Sequence, residues 1–139
     1  MSKSYSYLVI LGDSIDSSRL FDYDLGPNVK TIYQLGTVHP VLKFECTTTG
    51  CIVDVAKGDF HDVLNATVEY LTDYGAIVGD IGLALRPDQF YVYLEYASRI
   101  TARTVIQRDD LPADLIQLMG NAGLGLRIGI TAGPDWKPM

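Results

Sequence analysis

The sequence predicts an α+β domain in which helices pack on one face of a single-layer, largely antiparallel sheet. Two segments, 5–11 and 90–96, are rich in β-branched and aromatic residues, which is typical of strands. Between them, apolar residues recur every three or four positions from Phe60 to Leu71, which indicates a helix with one apolar face. The predicted order along the chain is strand, short helix, two or three strands, helices, one or two strands, helix and strand.

The first half of the chain is predicted to be mostly strands. In chain order we expect a central strand over 5–11, a short helix over 19–25, a second strand over 30–35, and a hairpin of strands over 41–47 and 51–55. Gly26-Pro27 is a stop signal for the short helix. A hairpin turn at Thr48-Thr49 would make Cys46 and Cys51 direct cross-strand neighbours. We expect both to be free thiols, because cytosolic pools keep cysteines reduced.

The second half is predicted to begin with the amphipathic helix, capped by Asp59 and ending at Tyr74-Gly75. A further helix should follow over 76–85, weakened by Gly79 and Gly82. In chain order we then expect a strand over 90–96, an edge strand over 101–107, a helix capped by Asp109 or Asp110 with Pro112 in its first turn, and a last strand over 124–131. In that last strand the alternation predicts one buried face, formed by Leu124, Leu126, Ile128 and Ile130.

Two Tyr-x-Tyr-Leu strands, at Tyr5–Leu8 and Tyr91–Leu94, suggest two related βαβ-like halves. The length of 139 residues fits one domain, with a core over about 5–131 and a tail over 132–139.

Of the nine tyrosines, five lie in or beside the two best strands, where core and cross-strand packing accounts for them. Tyrosine is also common in protein interfaces, so its abundance leaves both interpretations open.

The charge balance bears on partners and location. Lys and Arg number 11 and Asp and Glu 17, which gives 11 − 17 = −6. This acidity disfavours direct binding to nucleic acid or to an anionic membrane, and it suits a basic protein partner, although many acidic proteins are charged simply for solubility. The sequence has no run of about 18 apolar residues and no signal segment, so we expect a cytoplasmic protein.

One motif suggests catalysis. Leu11-Gly12-Asp13-Ser14 resembles the start of the GDSL hydrolases, in which the serine is the nucleophile. Those enzymes also need a late Asp-x-x-His pair, so that an imidazole can deprotonate the serine. The histidines here are His39 and His61, and neither has an Asp three positions before it. We therefore expect no enzyme and interpret the motif as a turn at a strand end.

No motif for a cofactor or metal is present in the sequence, and we expect none to be bound. The spacing of Cys46 and Cys51 matches no zinc pattern, and no glycine-rich phosphate loop occurs. The acidic cluster of Asp13, Asp16, Asp22 and Asp24 does not fit a calcium loop. It is interpreted as solvated loop charge and helix caps, or as a contact surface for a basic partner.

Several short motifs together resemble a bacterial domain of unknown function, number 4279, over about residues 5–131. They are Gly12 and Ile15 after the first strand, Leu25-Gly26-Pro27, Gly36, a glycine-bearing hairpin, an amphipathic helix, and a closing helix followed by a Leu-Gly-Leu-x-Ile strand. The resemblance implies no enzyme activity and no catalytic residues. It implies an immunity-type role, in which a small acidic protein binds and neutralises a bacterial toxin such as a nuclease or deaminase.

The expected function is therefore a non-enzymatic protein-binding domain whose partner is a basic protein toxin. The candidate contacts are the aspartates Asp13, Asp16, Asp22, Asp24, Asp59 and Asp62. Two alternatives stay open: a small-molecule-binding module with a pocket between helices and sheet, and a GDSL-like hydrolase that uses Ser14.

Overall fold

The computed structural model describes residues 3–38, 43, 45–100, 103 and 107–132. Within these residues the chain forms five strands and three helices. They are β1 (Ser4–Gly12), α1 (Ser17–Leu20), β2 (Val29–Tyr33), β3 (Thr49–Gly58), α2 (Phe60–Leu85), β4 (Gln89–Ala97), α3 (Ala113–Asn121) and β5 (Gly125–Thr131). The predicted α+β class is confirmed.

The described strands form one sheet in the order β2-β3-β1-β4-β5. β1 pairs antiparallel with β3 and β4, and β2 pairs antiparallel with β3, whereas β4 and β5 are parallel. The largely antiparallel sheet and the central position of β1 are therefore confirmed. The two Tyr-x-Tyr-Leu segments lie next to each other, with Tyr7 opposite Tyr93. β4–α3–β5 is a βαβ unit with adjacent parallel strands, and the first half has no such pair among its described strands.

The hydrophobic core lies between one face of the sheet and the helices. Alternate residues of the central strands point into it, because side chains alternate between the two faces of a strand. The apolar core residues that these strands contribute are Leu8, Ile10, Cys51, Val53, Val92 and Leu94, and they pack against Leu20 of α1, Val63, Leu71, Val78 and Ile81 of α2, and Leu115 and Met119 of α3. All three helices thus lie on one face, and no described helix covers the other.

α2 is one continuous helix of 26 residues, so the predicted end at Gly75 is wrong. Its apolar face continues past that residue through Val78 and Ile81, both fully buried. Gly82 has a packing role, because a Cβ there would lie 2.8 Å from the ring of Phe90. As predicted, Asp59 occupies the N-cap position, although its side chain makes no capping hydrogen bond.

The predicted hairpin over 41–47 and 51–55 is wrong in its pairing. Cys51 lies in β3 opposite Ile10 of β1 on one side and Ile32 of β2 on the other. Cys46 lies outside the strands, and its backbone bonds to Gly36 and Thr37. The two cysteines are therefore not cross-strand neighbours; both are buried free thiols. Residues 41, 42 and 44 lie outside the described residues.

Two helix starts differ from the predictions. α1 begins at Ser17, earlier than predicted, because Asp16 caps it by accepting a hydrogen bond from the backbone N–H of Ser18 at 3.0 Å. α3 begins at Ala113 after Pro112, and neither Asp109 nor Asp110 caps it. Asp109 instead accepts hydrogen bonds from Arg99 and Gln107 in the preceding segment.

The last strand begins at Gly125, one residue later than predicted, and its predicted burial is wrong. Leu124 is buried just before it, whereas Leu126, Ile128 and Ile130 are 39%, 44% and 57% exposed. They are exposed because β5 is the edge strand, beyond the cover of the helices. The predicted edge strand over 101–107 falls mostly outside the described residues. Among the described helices, none is long and apolar enough to cross a membrane.

Candidate functional site

The face of the sheet opposite the helices carries a groove of about 550 Å³. We call it the tyrosine groove. It is lined by Tyr7, Val9 and Leu11 of β1, Ile52 and Asp54 of β3, Tyr91 and Tyr93 of β4, and Arg127 of β5. These residues share one face because they alternate along their strands with the core residues.

Strand register brings the groove residues together in rows that run across the sheet. Tyr7 lies opposite Asp54 on one side and Tyr93 on the other, and Tyr93 lies opposite Arg127. In the next row, Val9 lies between Ile52 and Tyr91. Four strands therefore contribute side chains to one surface, with a carboxylate at one end of a row and a guanidinium at the other.

Stacked aromatic rings line one side of the groove, at Tyr7 and Tyr93, and continue beyond it to Tyr5. The rings of Tyr5 and Tyr7 are 6.1 Å apart between centroids and nearly parallel, and the rings of Tyr7 and Tyr93 are also 6.1 Å apart. The Lys57 ammonium lies 5.9 Å from the Tyr5 centroid and continues the row. Such stacked pairs hold the rings in place, so they present a rigid surface with little conformational entropy to lose on binding.

Arg127 is held at the β5 side of the groove by Tyr91. Its guanidinium carbon lies 4.3 Å from the Tyr91 ring centroid, and its Nη1 donates a hydrogen bond to the Tyr91 hydroxyl at 2.9 Å. A guanidinium carries five N–H donors, so this contact leaves donors for a partner. Arg127 is exposed, which makes it accessible from solvent.

Of the two glycines that flank Arg127 in β5, Gly129 leaves room for a tyrosine ring. A Cβ on Gly129 would lie 2.1 Å from the Tyr93 hydroxyl oxygen, so that hydroxyl occupies the space a side chain would need. A Cβ on Gly125 would lie 3.6 Å from the Cβ of Tyr91, which is ordinary contact. Gly129 thus allows Tyr93 to lean over the edge strand.

The chemistry of the groove suits binding. Burial raises the pKa of the Tyr7 hydroxyl, and the negative charges of Asp54 and Glu95 raise it further. Tyr7 therefore stays protonated at neutral pH and can donate a hydrogen bond. A second depression of about 310 Å³ adjoins the groove and shares Tyr7 and Asp54 with it. Together they offer stacking surfaces, hydroxyl donors, the carboxylate of Asp54 and the cationic side chains of Arg127 and Lys57.

A larger depression of about 650 Å³ lies on the other side of the molecule, between α2 and α3. Much of its lining is glycine, including Gly79, Gly82 and Gly123. Gly79 brings the helices close together, because its Cβ position lies 3.6 Å from the Cα of Ala122. The small residues here are accounted for by packing between elements, and the tyrosine groove is the stronger candidate site.

The six candidate aspartates do not form one surface. Asp13 lies at the end of β1, where its backbone N–H donates to Asp88 Oδ2 at 2.9 Å. Asp16, Asp22 and Asp24 lie around α1; hydrogen bonding by Ser18 lowers the pKa of Asp16, and Asp24 accepts from the Gly26 N–H at 2.9 Å. Asp59 and Asp62 lie at the start of α2, next to the opposite end of β1, since Gly58 pairs with Ser4. All six side chains are exposed.

Among the described residues, no histidine lies close enough to Ser14 of the GDSL-like motif to act as its base. Ser14 follows the end of β1, whereas His61 lies in the first turn of α2, near the start of β1. A nine-residue strand separates them, which corresponds to about 25 Å. The His61 ring instead contacts the Asn65 amide at 3.2 Å. His39 lies outside the described residues. Within the described part of the chain, no group of His, Cys, Asp and Glu is arranged to hold a metal.

Sequence reasoning missed the groove residues Tyr7, Tyr91, Tyr93 and Arg127. The Tyr-x-Tyr spacing places both tyrosines of each strand on one face, and Gly-x-Arg-x-Gly places Arg127 between glycines. That signal shows which side chains share a face. It does not show that the described helices all lie on the opposite face of the sheet.

Comparison with known proteins returned no relative: no family model, curated protein or solved structure matches the chain. The resemblance to domain 4279 stays a prediction based on the motifs alone.

Proposed function

We propose that this chain is a non-enzymatic binding protein that contacts a basic protein toxin through the tyrosine groove and thereby neutralises it. The observation that carries the proposal is the groove itself, a rigid aromatic surface on the face of the sheet that no described helix covers. Tyrosine and arginine, together with tryptophan, are enriched among the residues that contribute most to binding energy in protein interfaces.

The shape of the site favours a protein partner. The groove and the adjoining depression extend across β3, β1, β4 and β5, and their tyrosines are half-buried, so the rings are already fixed before binding. Fixed aromatic side chains lose little entropy on association, which raises affinity for a given contact area. A partner that inserts apolar side chains between Tyr7, Tyr91 and Tyr93 would displace water from all three rings.

The charge of the molecule favours a basic partner. The net charge is −6, and the exposed aspartates are spread over both ends of the sheet and the α1 region. In the groove, Asp54 and Arg127 are of opposite sign, so they fix orientation without adding net attraction. The remaining acidic surface would attract a basic protein from a distance and speed its encounter.

The inhibitor role comes from the resemblance to domain 4279. Proteins associated with toxin systems bind a cognate toxin and need no catalytic residues of their own. Toxins that act on nucleic acid present basic clefts, because they must hold phosphates. An acidic protein with a rigid aromatic contact surface has the properties needed to bind beside or over such a cleft.

The experiment is capture from native cells with tagged wild-type chain, followed by titration with the purified partner. Tyr93→Ala removes the central ring of the groove, and Leu83→Ala is the matched control, since Leu83 is 81% exposed on α2. We expect one basic protein whose dissociation constant rises at least about thirtyfold with Tyr93→Ala and stays within about twofold with Leu83→Ala. Far-UV circular dichroism verifies that both variants are folded.

A partner that binds both variants equally would show that the groove is not the contact surface. Neutralisation is tested separately, by adding the chain to the partner in its own activity assay. Inhibition should be complete at one chain per partner. Full activity in the saturated complex would remove the inhibitor role while leaving the binding role intact.

The second candidate is a small-molecule-binding module, and one observation favours it. The groove volume of about 550 Å³ falls within the range of ligand cavities. A ligand that binds only the folded chain raises its melting temperature. A metabolite that does so for the wild type and for Leu83→Ala, but not for Tyr93→Ala, would replace the protein partner as the occupant of the groove.

A further inference from the structure

β5 is an outer strand of the sheet, and among the described residues only β4 pairs with it. Edge strands are usually protected from pairing by proline, lysine, a bulge or a covering segment. β5 contains no proline and no lysine, its register with β4 is regular, and its charged residue is Arg127. Its outer edge is therefore suited to pair with another strand.

The backbone groups available for that pairing can be assigned. The Thr131 carbonyl accepts a hydrogen bond from the N–H of Ser98 at 2.9 Å, so the polar groups of Thr131 point towards the β4 side. The N–H and C=O groups of successive residues point alternately to the two edges of a strand. Those of Leu126, Ile128 and Ile130 therefore point outward, away from β4.

The side chains of the same three residues are also uncovered. Leu126, Ile128 and Ile130 lie opposite Val92, Leu94 and Tyr96 on the helix-facing side of the sheet. The three β4 residues are at most 5% exposed, whereas the three β5 residues are between 39% and 57% exposed. The helical layer thus ends between β4 and β5 and leaves an apolar row along the edge.

We propose that β5 pairs with β5 of a second copy of this chain, antiparallel about a twofold axis through Ile128. In this register Ile128 lies opposite its own counterpart and exchanges both backbone hydrogen bonds with it. Leu126 lies opposite Ile130 on each side, so the apolar rows of the two copies meet along their length. The five strands of each copy would form one continuous sheet.

Charge disfavours one competing register, the one centred on Arg127. Arg127 lies opposite Gly129 of the other copy, over which the Tyr93 hydroxyl leans, so that a guanidinium donor meets a phenol oxygen. A register centred on Arg127 would instead place two guanidinium groups opposite each other, which is unfavourable. Twofold pairing also places both tyrosine grooves side by side on the same face. This inference does not depend on what occupies them.

Sedimentation equilibrium over about 1 µM to 1 mM tests the pairing. One strand pair buries a small interface, so we expect a dissociation constant on the order of micromolar. Ile128→Lys should raise it at least about thirtyfold, because two ammonium groups would face each other. Ile32→Lys is the matched control, since Ile32 is 51% exposed on the opposite edge strand β2, and it should stay within about twofold.

A chain that is monomeric throughout this range would overturn the proposal, as would a dimer that Ile128→Lys does not weaken. Cysteine cross-linking tests the register. Facing residues of a hydrogen-bonded pair have Cα atoms about 5.5 Å apart, within reach of a disulfide. Ile128→Cys should therefore form a covalent dimer under mild oxidation. Leu126→Cys should not, because its counterpart is about 14 Å away. The reverse result would exclude pairing about Ile128.

Discussion

At the scale of single residues, Thr67 of α2 and Ser6 of β1 form a hydrogen bond inside the core. Both are fully buried, and the Thr67 hydroxyl oxygen lies 2.8 Å from Ser6 Oγ and 2.7 Å from the Val63 carbonyl oxygen. One hydroxyl hydrogen cannot serve both contacts, so the Ser6 hydroxyl must supply the second. The pair links the long helix to the central strand by a polar contact that apolar packing alone would not specify.

Thr67→Val keeps the shape of this side chain and removes the partner of Ser6. We expect it to lower the free energy of unfolding by about 1–3 kcal/mol, because a buried hydroxyl then lacks a partner. Ser6→Ala should cost less, about 1 kcal/mol, since Thr67 keeps the Val63 carbonyl. The double variant should be less destabilised than the sum of the two. Urea unfolding followed by circular dichroism measures all three, and strictly additive losses would contradict the contact.

Asp109 is a half-buried carboxylate between β4 and α3. Burial raises its pKa, but hydrogen bonds from Arg99 and Gln107 and the charge of Arg99 outweigh this, so the pKa lies below the ordinary value of 3.8. A lowered folded-state pKa stabilises the fold above the unfolded-state pKa, and this contribution is lost as pH falls through the folded value.

Asp109→Asn should therefore lower the free energy of unfolding at neutral pH. We expect less than about 1 kcal/mol, because the Arg99 side chain is 52% exposed and solvent screens the pair. The difference from wild type should shrink as pH falls below about 4. Urea titrations at pH 7, 5 and 3 measure it, with the exposed neighbour variant Asp110→Asn as control. A difference that stays constant with pH would show that Asp109 acts through shape alone.

At the scale of elements, α2 shows that the spacing of apolar residues predicts a helix better than the low helix propensity of glycine predicts its end. The spacing of apolar residues predicts helix on both sides of Gly75, and the structure confirms both parts. A glycine costs a helix about 1 kcal/mol relative to alanine. Burial of Val78, Ile81 and Leu85 on the continuing apolar face outweighs that cost. The contact that requires Gly82 is with Phe90 in the following strand, and helical spacing does not reveal it.

The two glycines predict opposite effects of the same substitution. A Cβ on Gly75 would meet no atom within 4 Å, so Gly75→Ala should raise the free energy of unfolding by about 0.5–1 kcal/mol. Gly82→Ala would press on the Phe90 ring and should lower it by about 1–3 kcal/mol. Thermal unfolding of both variants measures these two opposite shifts in stability. Equal shifts of the melting temperature would mean that helix propensity alone determines the outcome.

At the scale of the whole molecule, the class of the fold followed from the sequence, whereas the site did not. Alternation along each strand predicts that Tyr5 and Tyr7 share a face, and likewise Tyr91 and Tyr93. Their meeting depends on the antiparallel register of β1 with β4, which joins segments more than 80 residues apart. The aspartates show the converse: two groups that are each close in sequence, Asp13 to Asp24 and Asp59 with Asp62, lie at opposite ends of β1, so the fold does not join them into one surface.

Because the aspartates are separated in this way, we expect them to attract the partner at long range, whereas the groove contacts it directly. Variants that neutralise aspartates can distinguish these two roles. Asp22→Asn with Asp24→Asn, and Asp59→Asn with Asp62→Asn, each change the net charge from −6 to −4. Asparagine keeps an oxygen that can accept the hydrogen bond Asp24 receives from Gly26. The two double variants lie in different parts of the molecule, so a long-range field should make their effects similar, whereas direct contact should make them different.

We expect each double variant to slow association with the basic partner roughly two- to tenfold at low salt, and to leave dissociation nearly unchanged. The slowing should disappear near 0.5 M salt, because the Debye length is then only a few ångströms and distant charges no longer interact. Tyr93→Ala should show the opposite pattern, with faster dissociation at every salt concentration. Stopped-flow kinetics resolves the two rates. If one aspartate pair alone speeds dissociation, that pair lies in the interface, and the contact surface then extends beyond the tyrosine groove to that part of the molecule.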